Sequence, residues 1–235
     1  MSYHGLSILA VVPARGGSKS IPRKNLAKVG GQTLLSRAAS VCHSLDWIDH
    51  SVLSTDDSEI AAVGLAAGLE VPFARPSELA GDLSSSVEMW RHAWLACENI
   101  YGHQFDASIL LEPSSPMRTP TDVEDTLRTM IESSSDSAVT VSRTPAHYTP
   151  HKTLLVDPSG SVTYYLPNGY LHDTRQTIPP YYHRNGICYA LLRPTLIDHR
   201  KIIGDRCKAL VTNRVVVNID HPIDLQFCDF LIHRI

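Results

Sequence analysis

Short apolar runs alternate with stretches of helical periodicity over the first 142 residues, and this alternation restricts the possible folds most. Continuous apolar runs bounded by turn residues are typical of strands buried on both faces of a parallel sheet. The alternation predicts an α/β fold with an open, mostly parallel, doubly wound sheet. The predicted strands are 7–12, 51–55, 71–73, 107–112 and 138–142, and the predicted helices are 32–45, 57–68, 84–101 and one that begins at Thr119-Pro120.

The amino-acid composition changes between residues 145 and 183, where prolines and aromatic residues are frequent. "TLLVDPSGSVTYYL" contains two strand-like runs around an Asp-Pro-Ser-Gly turn. We therefore predict one domain over 1–235 with an extension at 145–183 that leaves the sheet and suits a partner chain or a lid. "ICYALL" and "VVVNID" are predicted to return as strands, and a last helix is predicted from Pro222 to about residue 232.

Composition excludes several classes of partner. The net charge of 235 residues is −3, with mixed signs, so neither a nucleic-acid nor a membrane surface is indicated. Five cysteines at irregular spacing predict reduced core thiols in a cytoplasmic protein. The N-terminal run "LSILAVV" is short and lacks a basic flank, so no signal peptide is expected. His147 and His151 have the spacing of a helical metal pair, but Pro150 between them disfavours the helix.

A loop rich in glycine and positive charge follows the first predicted strand, in "VVPARGGSKSIPRKN". Gly16 and Gly17 let backbone N–H groups approach an anion, and Arg15, Lys19 and Lys24 add charged donors. Ligands of open α/β sheets bind beyond the carboxyl ends of the strands. The loop therefore suits a polyphosphate, although neither a P-loop nor a Rossmann fingerprint occurs. The alternative is a mobile, solvated basic loop.

Seven segments in order closely resemble the CMP-sialic acid synthetases (N-acylneuraminate cytidylyltransferases). They are the loop above, "LSTDDSEIA", "RPSELAGDLSSS", "LLEPSSPMR", "HKTLL", "RQTIPPYYHRNGICY" and "VVVNIDHPIDL". The resemblance implies an enzyme that couples CMP from CTP to the anomeric hydroxyl of an α-keto sugar acid. It also implies release of pyrophosphate, assistance by Mg²⁺, and a homodimer formed through 145–183.

The resemblance also assigns site residues. Arg15, Lys24 and Asp220 are the expected catalytic residues. The expected nucleotide-binding residues are Ala14, Arg15, Gly16, Gly17, Lys19, Asn25, Arg75, Ser84 and Ser86, with Arg75 in the place of a cytosine-contacting arginine. Alone, Arg75 would more simply be a surface ion-pair residue. The expected sugar-acid residues are Glu112, Lys152, Arg175, Tyr182 and Asn185, although plain packing is the alternative for Tyr182.

Two positions depart from the family pattern. Glu112 stands where the family usually has glutamine, and Asn218 replaces the first residue of an Asp-x-Asp pair that ends at Asp220. The expected metal set is Asp220, Asn218 and Glu112, while a contact between Glu112 and the sugar remains an alternative. Two rival functions stay open: a sister nucleotidyltransferase that uses another 3-deoxy keto acid or GTP, and a nucleotide-binding homologue with weak catalysis.

Overall fold

The computed structural model describes residues 3–234. Within that range the chain divides into two compact units. The first comprises residues 3–140, 185–210 and 215–234, and the second comprises 141–184 and 211–214. Three of the four divisions fall inside strands, namely β6 (Ser137–Arg143), β9 (Tyr182–Leu192) and β10 (Cys207–Thr212).

A six-stranded sheet organises the fold, and its strands include β1 (Ile8–Pro13), β4 (His50–Ser54) and β5 (Ala107–Leu110). The strand order is β10-β6-β9-β5-β1-β4. The central strand β1 pairs in parallel with β4 and β5. β9 runs antiparallel to β5, with Ala107 opposite Leu192. The predicted α/β class with an open, mostly parallel sheet is confirmed. Two short strands, β2 (Lys28–Val29) and β3 (Gln32–Thr33), form a separate antiparallel pair.

The longer helices begin at residues that satisfy their first backbone N–H groups. Thr33, Asp57 and Ser85 accept such bonds at the starts of three helices, and Thr119 with Asp122 forms a capping box at a fourth. These helices are α1 (Leu34–His43), α2 (Ser58–Ala66), α3 (Ser86–Tyr101) and α4 (Pro120–Glu132), followed by α5 (Arg193–Ile197) and α6 (Pro222–Ile232). No helix within residues 3–234 is long and apolar enough to cross a bilayer.

Two predicted strands are wrong. Residues 71–73 form no strand, and a single parallel bridge joins Val52 to Glu70 instead, because Pro72 has no N–H to continue the ladder. Residues 215–220 are also not a strand. Val217 and Ile219 pack with Cys228 of α6 in a small core, and β10 at 207–212 forms the strand in this part of the chain.

The second unit is mostly irregular. Its regular part is the hairpin of β7 (Leu154–Val156) and β8 (Val162–Tyr164), which confirms the two runs predicted around the Asp-Pro-Ser-Gly turn. Every residue of both strands is exposed. A hairpin with neither face covered is marginal by itself in water.

Two histidine rings of this unit are in contact, but they are those of His151 and His172 rather than those of His147 and His151. His147 lies in a single 3₁₀ turn, whereas His151 is buried with its ring centroid 4.0 Å from that of His172. The Tyr181 hydroxyl lies 3.2 Å from His151 Nδ1. Burial, together with the nearby His172, lowers the pKa of His151. The pairing depends on contacts between residues far apart in the chain, which sequence spacing cannot reveal.

Candidate active site

A cavity of about 300 Å³ lies where β1, β4 and β5 end. These three strands are parallel, so their carboxyl ends share one edge of the sheet, where ligands of such folds bind. The cavity brings together seven of the residues predicted from sequence: Arg15, Lys24, Asn25, Arg75, Ser84, Ser86 and Glu112.

The glycine loop is fastened to the end of β4. The Ala14 N–H donates to the Ser54 carbonyl at 2.9 Å, and the Gly16 N–H donates to Asp56 Oδ1 at 3.0 Å. A Cβ on Gly16 would lie 2.7 Å from Asp57 Oδ2, so this close approach requires glycine. The buried Asn25 side chain donates to the Arg15 carbonyl at 3.0 Å and closes the loop from its other end. The loop is therefore anchored at several points rather than loosely solvated.

Each cation of the loop has a carboxylate partner. Arg15 and Lys19 both pair with Asp82, whereas Arg23 pairs with Asp57 and Glu59. Asp82 lines the cavity, whereas Lys19 does not. Lys19 lies at the edge of the cavity because it pairs with the Asp82 carboxylate.

Lys24 points to a different part of the site. Its Nζ donates to the Ile219 carbonyl at 2.8 Å and lies 3.2 Å from Asp220 Oδ1. Asp220 lies two residues before α6, and its N–H donates to Asp224 in the first turn of that helix. Two residues predicted to be catalytic are thus in contact although 196 positions separate them.

Arg75 is a buried cation in the cavity wall, not a surface ion-pair residue. Only 6% of its surface is exposed, and burial lowers its pKa to about 10. Its guanidinium donates to both the hydroxyl and the carbonyl of Ser54. Ser84 donates to the Glu78 carbonyl at 2.8 Å, and Ser86 is the first residue of α3, so the cavity has polar groups on two walls.

The predicted metal residues lie around one backbone segment. The Ile219 N–H donates to the Ser114 carbonyl at 2.7 Å, which ties 218–220 to the loop that follows β5. Asn218 Nδ2 donates to Asp220 Oδ2 at 3.2 Å, and Asn218 Oδ1 lies 3.5 Å from Ser115 Oγ. Over residues 3–234, no cluster of three or more His, Cys, Asp and Glu side chains forms a metal site. The donors present are one carboxylate with an adjacent amide, and Glu112 close by.

The predicted sugar-acid residues divide between the units. Asn185, in the first unit, is buried; its carbonyl accepts from Ser115 Oγ at 3.0 Å and its Oδ1 accepts from the Ile187 N–H at 3.2 Å. Lys152, Arg175 and Tyr182 belong to the second unit. There, Lys152 Nζ donates to the Asp173 carbonyl at 2.9 Å, Tyr182 is half exposed, and Arg175 with Arg143 lines a separate cavity of about 270 Å³.

The profile of the cytidylyltransferase family matches residues 9–206, which is well over half of the chain. The chain belongs to the cytidylyltransferase family. It is thus an enzyme of the nucleotidyltransferase class, and the family resemblance seen in the sequence motifs is confirmed.

This cytidylyltransferase is similar to three further proteins. Flagellin modification protein B of Campylobacter coli is 29% identical over 226 residues, which cover 96% of this chain and 94% of that protein. The CMP-N,N'-diacetyllegionaminic acid synthase of Legionella pneumophila is 28% identical over 233 residues, covering 93% of each. A CMP:2-keto-3-deoxy-manno-octonic acid synthetase solved in complex with CTP superposes with a TM-score of 0.70 at 18% identity, over 97% of this chain and 99% of that one. The last likeness concerns the fold.

Arg118 contacts the backbone of Glu112 in the cavity wall, and the sequence analysis did not single it out although it ends the quoted motif "LLEPSSPMR". It is buried, and its guanidinium donates to the carbonyls of Glu112 at 2.8 Å, Gly186 at 3.1 Å and Ile187. Burial lowers its pKa. Arg118 therefore joins the loop after β5 to the first residues of β9 in this unit, and it fixes the backbone from which the Glu112 side chain projects.

Proposed function

We propose that the protein transfers CMP from CTP to the anomeric hydroxyl of a nonulosonic, sialic-like acid. The hydroxyl oxygen forms a bond to the α-phosphorus and loses its proton, while the bond to the bridging oxygen breaks and pyrophosphate leaves with its electron pair. The observation that carries the proposal is one cavity lined by the anchored glycine loop, by the buried Arg75 and by Lys24, which pairs with Asp220. The legionaminic acid synthase relative supports a substrate of this class.

We assign the base and the phosphates to opposite parts of the cavity. Arg75, held by Ser54, offers a rigid donor to the cytosine acceptors, with Ser84 and Ser86 on the neighbouring wall. Arg15 and Lys19 take up the phosphates, and the loop backbone of Ala14, Gly16 and Gly17 lies beside them. The positive charges of the two side chains stabilise the negative charge of the polyphosphate and of the leaving pyrophosphate.

Lys24 acts at the reacting phosphorus in this scheme. Its ammonium group is held in place by the Ile219 carbonyl and the Asp220 carboxylate, so its position does not depend on the substrate. A fixed cation beside the α-phosphate stabilises the charge that develops there as pyrophosphate departs.

Magnesium fits the donors present. Mg²⁺ binds oxygen ligands, keeps several waters, and often takes one or two carboxylates together with substrate phosphates. Asp220, which is largely exposed, would supply a carboxylate, and Asn218 and Glu112 would stand beside it. When bound, the ion would polarise phosphoryl oxygens. Asp220, Asn218 and Glu112 would hold the ion, and the other residues of the site would bind and orient the two substrates.

For the first unit, we propose that Asn185 contacts the sugar acid. In the second unit, taken by itself, Lys152 and Arg175 are cations that suit a carboxylate, for which the planar guanidinium is well shaped, and Tyr182 offers a hydroxyl. Glu112 is suited either to the metal or to a hydroxyl or amino substituent of the sugar acid. It stands where the family usually has glutamine, and this difference makes Glu112 a candidate determinant of which sugar acid is used.

We also propose a homodimer formed through 145–183. The hairpin of β7 and β8 is exposed on both faces, and the same segment carries further exposed apolar side chains, including Tyr148, Tyr165, Tyr170 and Leu171. Exposed apolar surface of this kind is typical of an interaction site.

We also propose a cytoplasmic location. The cysteines at 42, 97, 188, 207 and 228 are all free thiols, and four of them are buried.

The test is a pyrophosphate-release assay on the purified protein. CTP or GTP is mixed with Mg²⁺ and a panel of keto sugar acids that includes nine-carbon and 3-deoxy eight-carbon members. Release with CTP and a nonulosonic acid supports the proposal. Release only with GTP or only with an eight-carbon acid identifies a sister enzyme, and CTP binding without release identifies a nucleotide-binding homologue.

A further inference from the structure

Asp82 holds two cations of the glycine loop at once. Its Oδ1 lies 3.1 Å from Arg15 Nη1, and its Oδ2 pairs with Lys19 Nζ. Arg15 Nη1 also donates to the Ala80 carbonyl at 3.3 Å, so the segment 80–82 and the loop face each other across the cavity rim. Asp82 is therefore placed where a bound anion would meet the same two side chains.

The charge of Asp82 resembles that of the ligand proposed for this place. The hydrogen bond from Lys19 and the charge of both cations hold the pKa of Asp82 below its ordinary value, so the side chain is a carboxylate at neutral pH. Carboxylate and phosphate oxygens accept the same charge-assisted hydrogen bonds from arginine and lysine. One guanidinium nitrogen and one ammonium group that could hold phosphate are thus already engaged.

These pairs are also weak enough to exchange. The exposed fractions of the side chains are 34% for Arg15, 83% for Lys19 and 38% for Asp82. Ion pairs this open to water contribute little stability, because solvent screens them and two long side chains lose freedom. A ligand with several negative charges can therefore replace the single carboxylate.

We infer that Asp82 is an internal counter-anion that competes with the polyphosphate chain for Arg15 and Lys19. This inference rests on the proposed function. Entry of CTP separates Asp82 from both cations, and departure of pyrophosphate lets the pairs form again. Asp82 thereby weakens the binding of both polyphosphates and favours release of the product. CMP, which has no β- or γ-phosphate, leaves the pairs in place.

The chain offers matched control variants. Glu59 pairs with Arg23, a loop cation that does not line the cavity, so Glu59→Gln removes the same charge from the same neighbourhood without freeing Arg15 or Lys19. Asp82→Glu keeps the charge and tests whether any change at this position has the effect.

The experiment is calorimetric titration with CTP, pyrophosphate and CMP at fixed Mg²⁺ and without sugar acid. We expect Asp82→Asn to bind CTP and pyrophosphate about three- to tenfold more tightly, the scale of two partly exposed ion pairs. CMP affinity should not change, and Asp82→Glu and Glu59→Gln should stay near the wild type. Equal or weaker binding of CTP by Asp82→Asn, or an equal gain for CMP, would overturn the inference.

Two further observations distinguish a failure of the proposed function from a failure of the inference about Asp82. If the wild type binds no CTP, the proposed function fails, whereas normal CTP binding with no gain in Asp82→Asn refutes only the role of Asp82. If the Asp82→Asn variant folds poorly, NMR spectra of the backbone amides of the wild type test the competition instead. The Gly81 and Asp82 signals should shift on addition of CTP or pyrophosphate and not of CMP, and identical shifts with CMP would contradict the competition.

Discussion

The Glu112 carboxylate and the Asn218 side-chain amide face the same point beside the backbone of Gly186. A Cβ at Gly186 would lie 2.7 Å from Glu112 Oε2 and 3.7 Å from Asn218 Oδ1, and the φ of +71° at Gly186 also favours glycine. The two positions that depart from the family pattern are therefore neighbours in space. A charge lost at one of them can be replaced at the other.

This neighbourhood predicts energetic coupling between Glu112 and Asn218 through Mg²⁺. If Glu112 supplies the charge that asparagine lacks, Glu112→Gln should raise the Mg²⁺ concentration needed for half-maximal rate, and adding Asn218→Asp should largely restore it. Coupled residues give non-additive energies of about 0.5–3 kcal/mol in a double-mutant cycle. Rate measured against Mg²⁺ for the four proteins gives the coupling.

The contrary result has its own meaning. If Glu112→Gln leaves the Mg²⁺ dependence unchanged but alters which sugar acid is used, Glu112 contacts the sugar and takes no part at the metal.

Removing a loop cation should impair use of CTP. Arg15→Ala and Lys24→Ala should each lower kcat/KM for CTP by about 10²-fold or more, because each removes a charged donor to the phosphates. Steady-state kinetics with CTP varied measure the effect. Arg128→Ala is the control, since that arginine pairs with Asp125 on the surface of α4. Wild-type kinetics for Arg15→Ala or Lys24→Ala would refute that residue's assignment.

Arg118 should matter to stability as well as to the site. Arg118→Lys keeps the charge but cannot reach all three carbonyls that the guanidinium satisfies. The free energy of unfolding should fall by about 2–4 kcal/mol, because buried acceptors lose charged donors. Denaturant unfolding measures this, with Arg128→Lys as the exposed control. A loss below about 0.5 kcal/mol, the range of ordinary surface substitutions, would show that Arg118 does not hold these segments together.

The exposed hairpin predicts a dimer in solution. Light scattering at micromolar concentration should give about twice the chain mass of 25.9 kDa. Leu155→Asp, on β7, should shift the protein toward monomer, because it places a charge in an apolar interface. Leu65→Asp is the control, since Leu65 is similarly exposed but lies on α2. A wild type that is monomeric and still turns over would exclude the dimer as a requirement.

Local signals predicted most of the first unit correctly. The run at β1, the caps Asp57 and Thr119 and the periodicity of α3 are all encoded within a few residues of the elements they define. The family motifs likewise named residues that converge on the cavity. Sequence reasoning failed where distant contacts decide. Residues 215–220 look like a strand by composition, but packing against α6 and the bond to Ser114 hold them in another conformation.

The same limit explains the polar contacts that were missed. Asp82 lies within a quoted motif, but its two partners are more than sixty residues earlier in the chain. Arg118 satisfies carbonyls of β9 that only the folded chain brings near it.

The central claim is that the protein joins CMP to a sugar acid, and ³¹P NMR of the complete reaction tests it most directly. With CTP, Mg²⁺ and the nonulosonic acid that gives the fastest pyrophosphate release, we predict that the CTP signals are replaced by one phosphodiester signal and one equivalent of pyrophosphate. The product mass should equal CMP plus the sugar acid less water. Unchanged CTP, or free CMP and pyrophosphate without the adduct, would contradict the account.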